Sequence, residues 1–199
     1  MLQSLSPFLR GKFHDPENFG SLRLLDEAGM QLTNIGYLIN GSFEILTNIN
    51  KPYAWEIMKG HDSDEVEVLF SDFMHGRTCI KLSSKNNSDG KRLILQHLLA
   101  KPLKPNTTYR ITFFVKTKGI EVDSSVRYSG AWANINGTSG NIFIPGIMSW
   151  YKGDNNWTKE SFVFKSGATK PVNYIRVGMT SAKGTAYFDD IRLEEVVAK

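Results

Sequence analysis

Apolar and polar residues alternate along several stretches of this chain, and this period of two restricts the possible folds more than any other feature. The alternation is clearest in residues 109–116, 161–165 and 174–179. Because successive side chains on a β-strand point to opposite faces, each stretch predicts a strand with one face on a core. Further strands are predicted at residues 37–46, 53–58, 65–70, 77–83, 92–99, 125–134, 141–145 and 184–194.

Clusters of Gly, Asn, Asp and Pro separate these stretches. They lie at residues 86–90, 104–106, 136–140 and 153–156. Such residues favour turns, because Gly and Asn accept positive φ and Pro fixes φ near −65°. Many short strands, regular turns and no long helical stripe predict an all-β sandwich or barrel. A single domain in a chain of 199 residues buries roughly 70% of its unfolded surface, so it needs no disulfide or metal to fold.

Residues 1–35 form a segment of different character, which we call the N-terminal arm. Prolines and glycines interrupt it, and its apolar runs are short. Residues 21–25 and 30–33 flank a turn that contains Gly29, which predicts either a hairpin or one helical turn. The arm is expected to be a flexible tail, to pack on its own domain, or to anchor the chain to a larger assembly.

The charge balance argues against a nucleic-acid partner. The 24 Lys and Arg residues exceed the 20 Asp and Glu residues by only four, and the basic residues form no run of five, which is a weak electrostatic signal. The one cysteine, Cys79, lies in an alternating run and is expected to be a small buried residue rather than a catalytic thiol.

The first residues lack the basic leader and long apolar run of a Sec signal peptide. No apolar stretch approaches the ~18 residues that a membrane span requires. We therefore expect a chain made without a signal peptide and not inserted in a membrane, which reaches a virion or the cell exterior by lysis.

Five segments, in order, resemble the jelly-roll carbohydrate-binding modules that accompany xylanases and endoglucanases. They are Leu-Ile-Asn-Gly-Ser-Phe-Glu at 38–44, Tyr-Ala-Trp at 53–55, Gln96 followed by Pro-Asn-Thr-Thr-Tyr at 105–109, a strand that opens on tryptophan at 157–164, and Gly-Thr-Ala-Tyr-Phe-Asp-Asp-Ile-Arg-Leu at 184–193. The resemblance implies that residues 36–199 form a galactose-binding-like jelly-roll β-sandwich, with the arm as an N-terminal extension. It also implies that Trp55 and Trp157 are core residues.

The resemblance further implies a structural calcium ion between the opening and closing segments. Glu44 and Asp189 are the matching positions, and calcium prefers several oxygen ligands. The alternative is that both are surface carboxylates.

A saccharide site should combine exposed aromatic rings, which stack on sugar rings, with fixed hydrogen-bonding groups. Tyr128 and Trp132, four apart on a predicted strand, would lie on one face roughly 13 Å apart at ~3.3 Å per residue, which suits two subsites. Polar contacts are expected from Arg127, Gln96 and Asn134, and further stacking from Trp150 and Tyr151. For Tyr128 and Trp132 a place in the core is the alternative.

No residue pattern indicates catalysis. His14, His61, His75 and His97 lack metal-pair spacing, and neither a nucleophile elbow nor a phosphate-binding glycine loop is present. We therefore expect a non-enzymatic oligo- or polysaccharide-binding module, anchored by its arm to an assembly such as a phage virion, where it contacts host surface glycans. The alternatives are a purely structural protein of such a particle, or a module excised from a glycoside hydrolase.

Overall fold

The computed structural model describes residues 24–25, 31–32, 36–47, 51–86, 90–137, 150–168 and 173–196. These residues contain eleven strands and no helix, and therefore no helix long and apolar enough to cross a membrane. The strands are β1 (Leu24–Leu25), β2 (Gln31–Leu32), β3 (Glu56–Met58), β4 (Glu65–Leu69), β5 (Cys79–Ser84), β6 (Arg92–Leu98), β7 (Thr108–Val122), β8 (Gly130–Gly137), β9 (Gly153–Lys165), β10 (Asn173–Thr180) and β11 (Ala182–Glu195). The predicted all-β class is confirmed.

The strands form three antiparallel sheets. β1 pairs with β2, with Leu24 opposite Leu32, which selects the hairpin over the helical turn within the arm. A four-stranded sheet has the order β3-β6-β10-β8, and a five-stranded sheet has the order β4-β5-β11-β7-β9. The extent of the arm as a separate unit stays a prediction.

The two larger sheets enclose one hydrophobic core. The four-stranded sheet contributes Leu95 and Val177, and the five-stranded sheet contributes Ile111, Phe113 and Phe188, each at most 1% exposed. Because side chains alternate along a strand, the neighbours of these residues lie on the outer faces. The sandwich therefore has two outer faces, one on each of the larger sheets.

Residues 37–46 do not form the predicted strand. Asn40 and Phe43 have φ of 58° and 62°, values that an extended strand does not adopt. The turn buries the Phe43 ring against Trp55, at 5.1 Å between centroids. It also brings the carbonyl of Gly41 to the backbone N–H of Ile191, at 2.9 Å, so the opening segment contacts β11 without pairing as a strand.

Two other predicted strands are shorter in the structure. The strand predicted at 53–58 is reduced to β3 because Ala54 has a φ of 66°. The strand predicted at 125–134 begins only at Gly130, because residues 123–126 form a turn closed by the hydrogen bond from Val126 N to Asp123 O. The strand predicted at 141–145 lies outside the described residues.

Cys79 and Trp55 are buried as predicted, at 0% and 7% exposure. Burial raises the pKa of the Cys79 thiol to about 12, which keeps it protonated and unreactive. The core prediction for Trp157 is wrong. Trp157 is half-buried beside Tyr187 on the outer face of the five-stranded sheet and donates to Asp72 Oδ1 at 3.1 Å.

Candidate functional site

Four polar residues form a row across the outer face of the four-stranded sheet. Glu56 of β3 lies opposite Gln96 of β6, Gln96 lies opposite Arg176 of β10, and Arg176 lies opposite Asn134 of β8. We call this row the polar ladder. At ~4.8 Å between neighbouring strands it is roughly 14 Å long.

Hydrogen bonds fix most of the polar ladder. Arg176 Nε donates to Gln96 Oε1 at 2.9 Å, and Gln96 Nε2 donates to Glu56 Oε2 at 2.5 Å. At the other end, Asn134 Oδ1 is buried and accepts no hydrogen bond from the residues that the structure describes. An unsatisfied buried acceptor costs about 1–3 kcal/mol, so the polar ladder ends on an unpaired acceptor.

An apolar row lies beside the polar ladder. Its members, Met58, Ile94, Gly178 and Trp132, are also opposite one another in register. A Cβ on Gly178 would be 2.9 Å from Trp132 Cζ2, so the indole lies over the glycine. Its Nε1 donates to Thr180 Oγ1 at 2.8 Å. The glycine is therefore what allows the indole to lie against the sheet.

A second apolar row lies on the opposite side of the ladder, where Tyr174 is opposite Leu98. Leu98 is 51% exposed. The guanidinium carbon of Arg176 lies 5.4 Å from the centroid of the Tyr174 ring. The polar ladder thus has an apolar row on one side and Leu98 and Tyr174 on the other.

Three aromatic rings meet where β8 begins. The Trp150 ring is 5.9 Å from that of Tyr128 and 6.3 Å from that of Trp132, between centroids. We call these three residues the aromatic edge cluster. The backbone of Tyr151 pairs with Ala131, with N···O distances of 2.8 and 3.0 Å, and this pairing holds Trp150 beside the sheet.

Gly130 permits this pairing. It has a φ of 127°, and a Cβ there would lie 2.7 Å from the carbonyl oxygen of Tyr151. A side chain at this position would therefore be both strained and in collision with the bridging segment.

The structure brings the predicted site residues together in a different arrangement from the one expected. Gln96, Asn134 and Trp132 share the outer face, while Tyr128 precedes β8 and contacts Trp150. The prediction that Tyr128 and Trp132 lie on one strand is wrong, because β8 begins at Gly130, and their use as two subsites stays a prediction. Trp132 is 3% exposed and Tyr128 is 46% exposed, so within the cluster Tyr128 has the more accessible ring.

Arg127 also lies at this end of the sheet, with its guanidinium carbon 5.3 Å from the centroid of the Tyr128 ring. Sequence reasoning missed Glu56, Arg176 and Tyr174. The last two occupy alternate positions of the stretch 174–179, whose apolar stripe was recognised. Their place on the polar stripe was the available signal, but only the strand order shows that it lies beside Gln96.

Burial lowers the pKa of Arg176, and the nearby positive charge of Arg92 lowers it further. Arg176 forms no ion pair with any residue that the structure describes, although Glu56 acts on it through space. The centre of the face therefore holds a partly desolvated positive charge.

Glu44 and Asp189 both accept backbone hydrogen bonds, and a calcium ion between them stays a prediction. Glu44 Oε1 accepts hydrogen bonds from the backbone N–H groups of Arg77 and Thr78, at 2.8 and 3.1 Å. Asp189 Oδ2 accepts two from residues 74–75, at 2.7 and 2.8 Å. These N–H donors satisfy part of the hydrogen-bonding capacity of both carboxylates. The described residues contain no group of three or more acidic, His or Cys side chains placed to hold a metal.

Of the two, Glu44 is exposed and is a surface carboxylate, whereas Asp189 is not. Asp189 is fully buried, and burial raises its pKa. Both side chains hold the loop between β4 and β5 against the sandwich.

The fold is the jelly-roll β-sandwich of carbohydrate-binding modules. A family 16 carbohydrate-binding module matches with a TM-score of 0.54 and 19% identity, over 80% of this chain and 100% of that one. The resemblance seen in the sequence is confirmed at the level of the fold.

Other proteins share this fold. The enzymatically active domain of bacteriophage CBA120 tailspike protein 4 matches with a TM-score of 0.60 and 16% identity, over 81% of this chain and 22% of that one. A Stig cyclase, Fisc from Fischerella sp. TAU, matches with a TM-score of 0.60 and 17% identity, over 80% of this chain and 96% of that one. The fold thus occurs in enzymes as well as binding modules, so function is argued from the site.

No protein-family model matches the chain. Among curated proteins, the tRNA nuclease WapA of Bacillus subtilis strain 168 is 28% identical over 174 residues, which cover 82% of this chain. The chain spans 7% of the length of that relative.

Proposed function

We propose that this chain is a non-catalytic module that binds an extended saccharide across the outer face of its four-stranded sheet. The observation that carries the proposal is the combination, on one face, of the polar ladder with the aromatic edge cluster. Sugar rings have apolar faces that stack on aromatic rings, and their hydroxyl groups need fixed donors and acceptors. On this face Tyr128 offers the accessible ring of the aromatic edge cluster, and the polar ladder offers side-chain donors and acceptors in fixed positions.

The composition of the ladder supports binding rather than glycoside hydrolysis. Hydrolysis usually requires two carboxyl groups about 5–9.5 Å apart on either side of the scissile bond. Among the described residues, the ladder contains one carboxylate, Glu56, which accepts a hydrogen bond from Gln96. The ladder is therefore suited to hold hydroxyl groups rather than to cleave a glycosidic bond.

A glycan array tests the proposal, with the chain compared with Tyr128→Ala and Gln96→Ala. Both variants should bind the retained saccharide at least about tenfold more weakly, which corresponds to ~1.4 kcal/mol of binding free energy. The matched control is Trp157→Ala, which removes a half-buried aromatic ring from the opposite outer face. Equal losses in the control, or full binding by both site variants, would contradict the proposed site.

The chain is further proposed to work as part of a larger assembly such as a phage virion, anchored through residues 1–35 and in contact with host surface glycans. Support comes from the tailspike domain, a phage protein in which a fold of this kind makes up about a fifth of the solved chain. In this role the arm should be cleaved by protease in the free protein and protected in an assembled particle. Equal cleavage in both states would contradict the anchor.

A purely structural role in the particle is the second candidate, and it shares the anchor with the first. It predicts silence on the glycan array together with protection of the arm. A module excised from a glycoside hydrolase predicts glycan binding with no protection of the arm. The two measurements together separate the three roles.

A further inference from the structure

Three arginines lie on or beside the outer face of the four-stranded sheet. Arg176 is in the polar ladder, and Arg92 lies on the same face because it is two residues from Ile94 on β6. Arg127 stacks on Tyr128 of the aromatic edge cluster. None of the three forms an ion pair with a residue that the structure describes.

Five of the cations elsewhere on the sandwich are paired with carboxylates. Lys81 lies 2.7 Å from Glu67, Arg192 lies 2.8 Å from Asp190, and Lys183 lies 2.8 Å from Glu121. On the outer face of the four-stranded sheet, Glu56 is the carboxylate within the polar ladder, and its carboxylate accepts a hydrogen bond from Gln96.

The surroundings of Arg176 restrict what can satisfy it. Its Nε is committed to Gln96 and its guanidinium stacks on Tyr174, so the group is held in place. A fixed planar guanidinium is suited to bind an oxyanion with two parallel N–H donors. Arg92 lies close enough to influence Arg176 electrostatically, which adds positive potential at the same place.

We propose that the saccharide bound by this face is anionic, and that Arg176 binds its carboxylate or sulfate groups with support from Arg92 and Arg127. This inference rests on the proposed function. It adds the chemical class of the ligand, which the fold does not specify.

Two matched pairs of polymers test the inference. Polygalacturonate is compared with its methyl ester, and dextran sulfate with dextran, so that each pair differs in negative charge on the same backbone. Affinity electrophoresis and isothermal titration are used with the full chain. Retention of the acid and not the ester assigns a carboxylate ligand, and retention of the sulfated polymer alone assigns a sulfate ligand.

The variants are Arg176→Gln and Arg92→Gln, with Arg110→Gln as the control. Gln keeps a hydrogen-bonding group at position 176, and Arg92 is exposed, so Arg92→Gln remains informative if Arg176→Gln fails to fold. Arg110 lies on the outer face of the five-stranded sheet, exposed and opposite Val163, and its substitution makes the same change in net charge.

The expected result is an affinity for the charged polymer at least about tenfold above that for its neutral partner at low salt, in keeping with charge-assisted hydrogen bonding. This preference should fall in both site variants and persist in Arg110→Gln. Salt should weaken it, because exposed charges are screened.

Equal affinity for the charged and neutral members of each pair would overturn the anionic ligand and leave the proposed function intact. An equal loss in Arg110→Gln would also overturn it, because the effect would then reflect net charge alone. If the chain retains none of the saccharides, the result would overturn both the inference and the proposed function.

Discussion

His97 shows how one buried polar side chain ties the opening segment to the sandwich. It is 1% exposed, and its Nε2 accepts the backbone N–H of Ile39 at 3.2 Å. The centroid of the imidazole ring also lies 5.2 Å from the ring centroid of Trp55. Because Nε2 accepts a hydrogen bond, the ring must be neutral there, and burial lowers the pKa of His97 to about 4.

This lowered pKa predicts a loss of stability in mild acid. An unfolded histidine titrates near pH 6.5, so the unfolded state binds more protons between pH 6.5 and pH 4, and the free energy of unfolding decreases as the pH falls through that window. At ~1.4 kcal/mol per pKa unit the full loss is about 3 kcal/mol. Urea denaturation at a series of pH values measures it.

The matched variants are His97→Gln and His75→Gln, the second at an exposed histidine. The pH dependence should flatten in the first and persist in the second. A pH profile that is the same in His97→Gln as in the unaltered chain would contradict the assignment.

Asp189 predicts a second effect at the residue scale. Its buried carboxylate accepts N–H groups from residues 74–75 and from Asp190. Asp189→Asn places an amide N–H₂ where an acceptor is required and should lower the free energy of unfolding by about 2 kcal/mol, since hydrogen bonds to charged groups contribute about 1.5–3 kcal/mol. Thermal unfolding measures this, with exposed Asp62→Asn as a control that should change little.

The sheets could be predicted from the sequence where alternation is long, as on β7, β10 and β11. The opening segment could not be predicted in the same way. Its residues 37–46 are apolar enough for a strand, yet Asn40 and Phe43 take positive φ because Asn40 bonds the backbone of Ile45, at 2.8 and 2.9 Å. Only a tertiary contact, the burial of Phe43 beside Trp55, selects that turn.

Residue type predicted some members of the candidate site, and strand order decided the others. Gln96, Asn134 and the aromatic residues were identified because their residue types suit a sugar. Arg176 and Glu56 were not, because their places beside Gln96 depend on the order β3-β6-β10-β8, in which neighbouring strands are distant in sequence.

At the scale of elements, the close approach of β10 to Trp132 predicts the effect of Gly178→Ala. The added Cβ would lie 2.6 Å from Leu93 O and 2.9 Å from the Trp132 indole. Such overpacking should cost about 1–3 kcal/mol of unfolding free energy and displace the indole that borders the polar ladder. The free energy of unfolding and the glycan affinity should both fall in Gly178→Ala. Neither should change in Gly167→Ala, because an added Cβ there has nothing within 4 Å.

The loop between β4 and β5 sets two expectations against each other. The resemblance to carbohydrate-binding modules predicts calcium at Glu44 and Asp189, while the N–H donors around these carboxylates predict that no ion is needed. We therefore expect the melting temperature to be the same in calcium and in EDTA. A melting temperature several degrees higher with calcium, equivalent to ~1 kcal/mol, would contradict this and support a bound calcium ion.

At the scale of the whole molecule, the two outer faces of the sandwich differ in how their charges are used. On the five-stranded sheet, Lys81 and Lys116 are paired with Glu67 and Asp72. On the four-stranded sheet, Arg176 takes part in a hydrogen-bonded row that ends at the unpaired acceptor of Asn134. This continuous polar row is the feature on which the proposed ligand site rests.

The central claim, that a saccharide binds this face, is tested most directly by the indole N–H signals of the four tryptophans in a ¹H–¹⁵N spectrum. Trp132 and Trp150 border the proposed site, Trp55 is in the core, and Trp157 lies on the opposite outer face. Titration with a saccharide retained on the array should shift the Trp132 and Trp150 signals and leave Trp55 and Trp157 unchanged. A shift of Trp157 without Trp132 and Trp150 would contradict the claim.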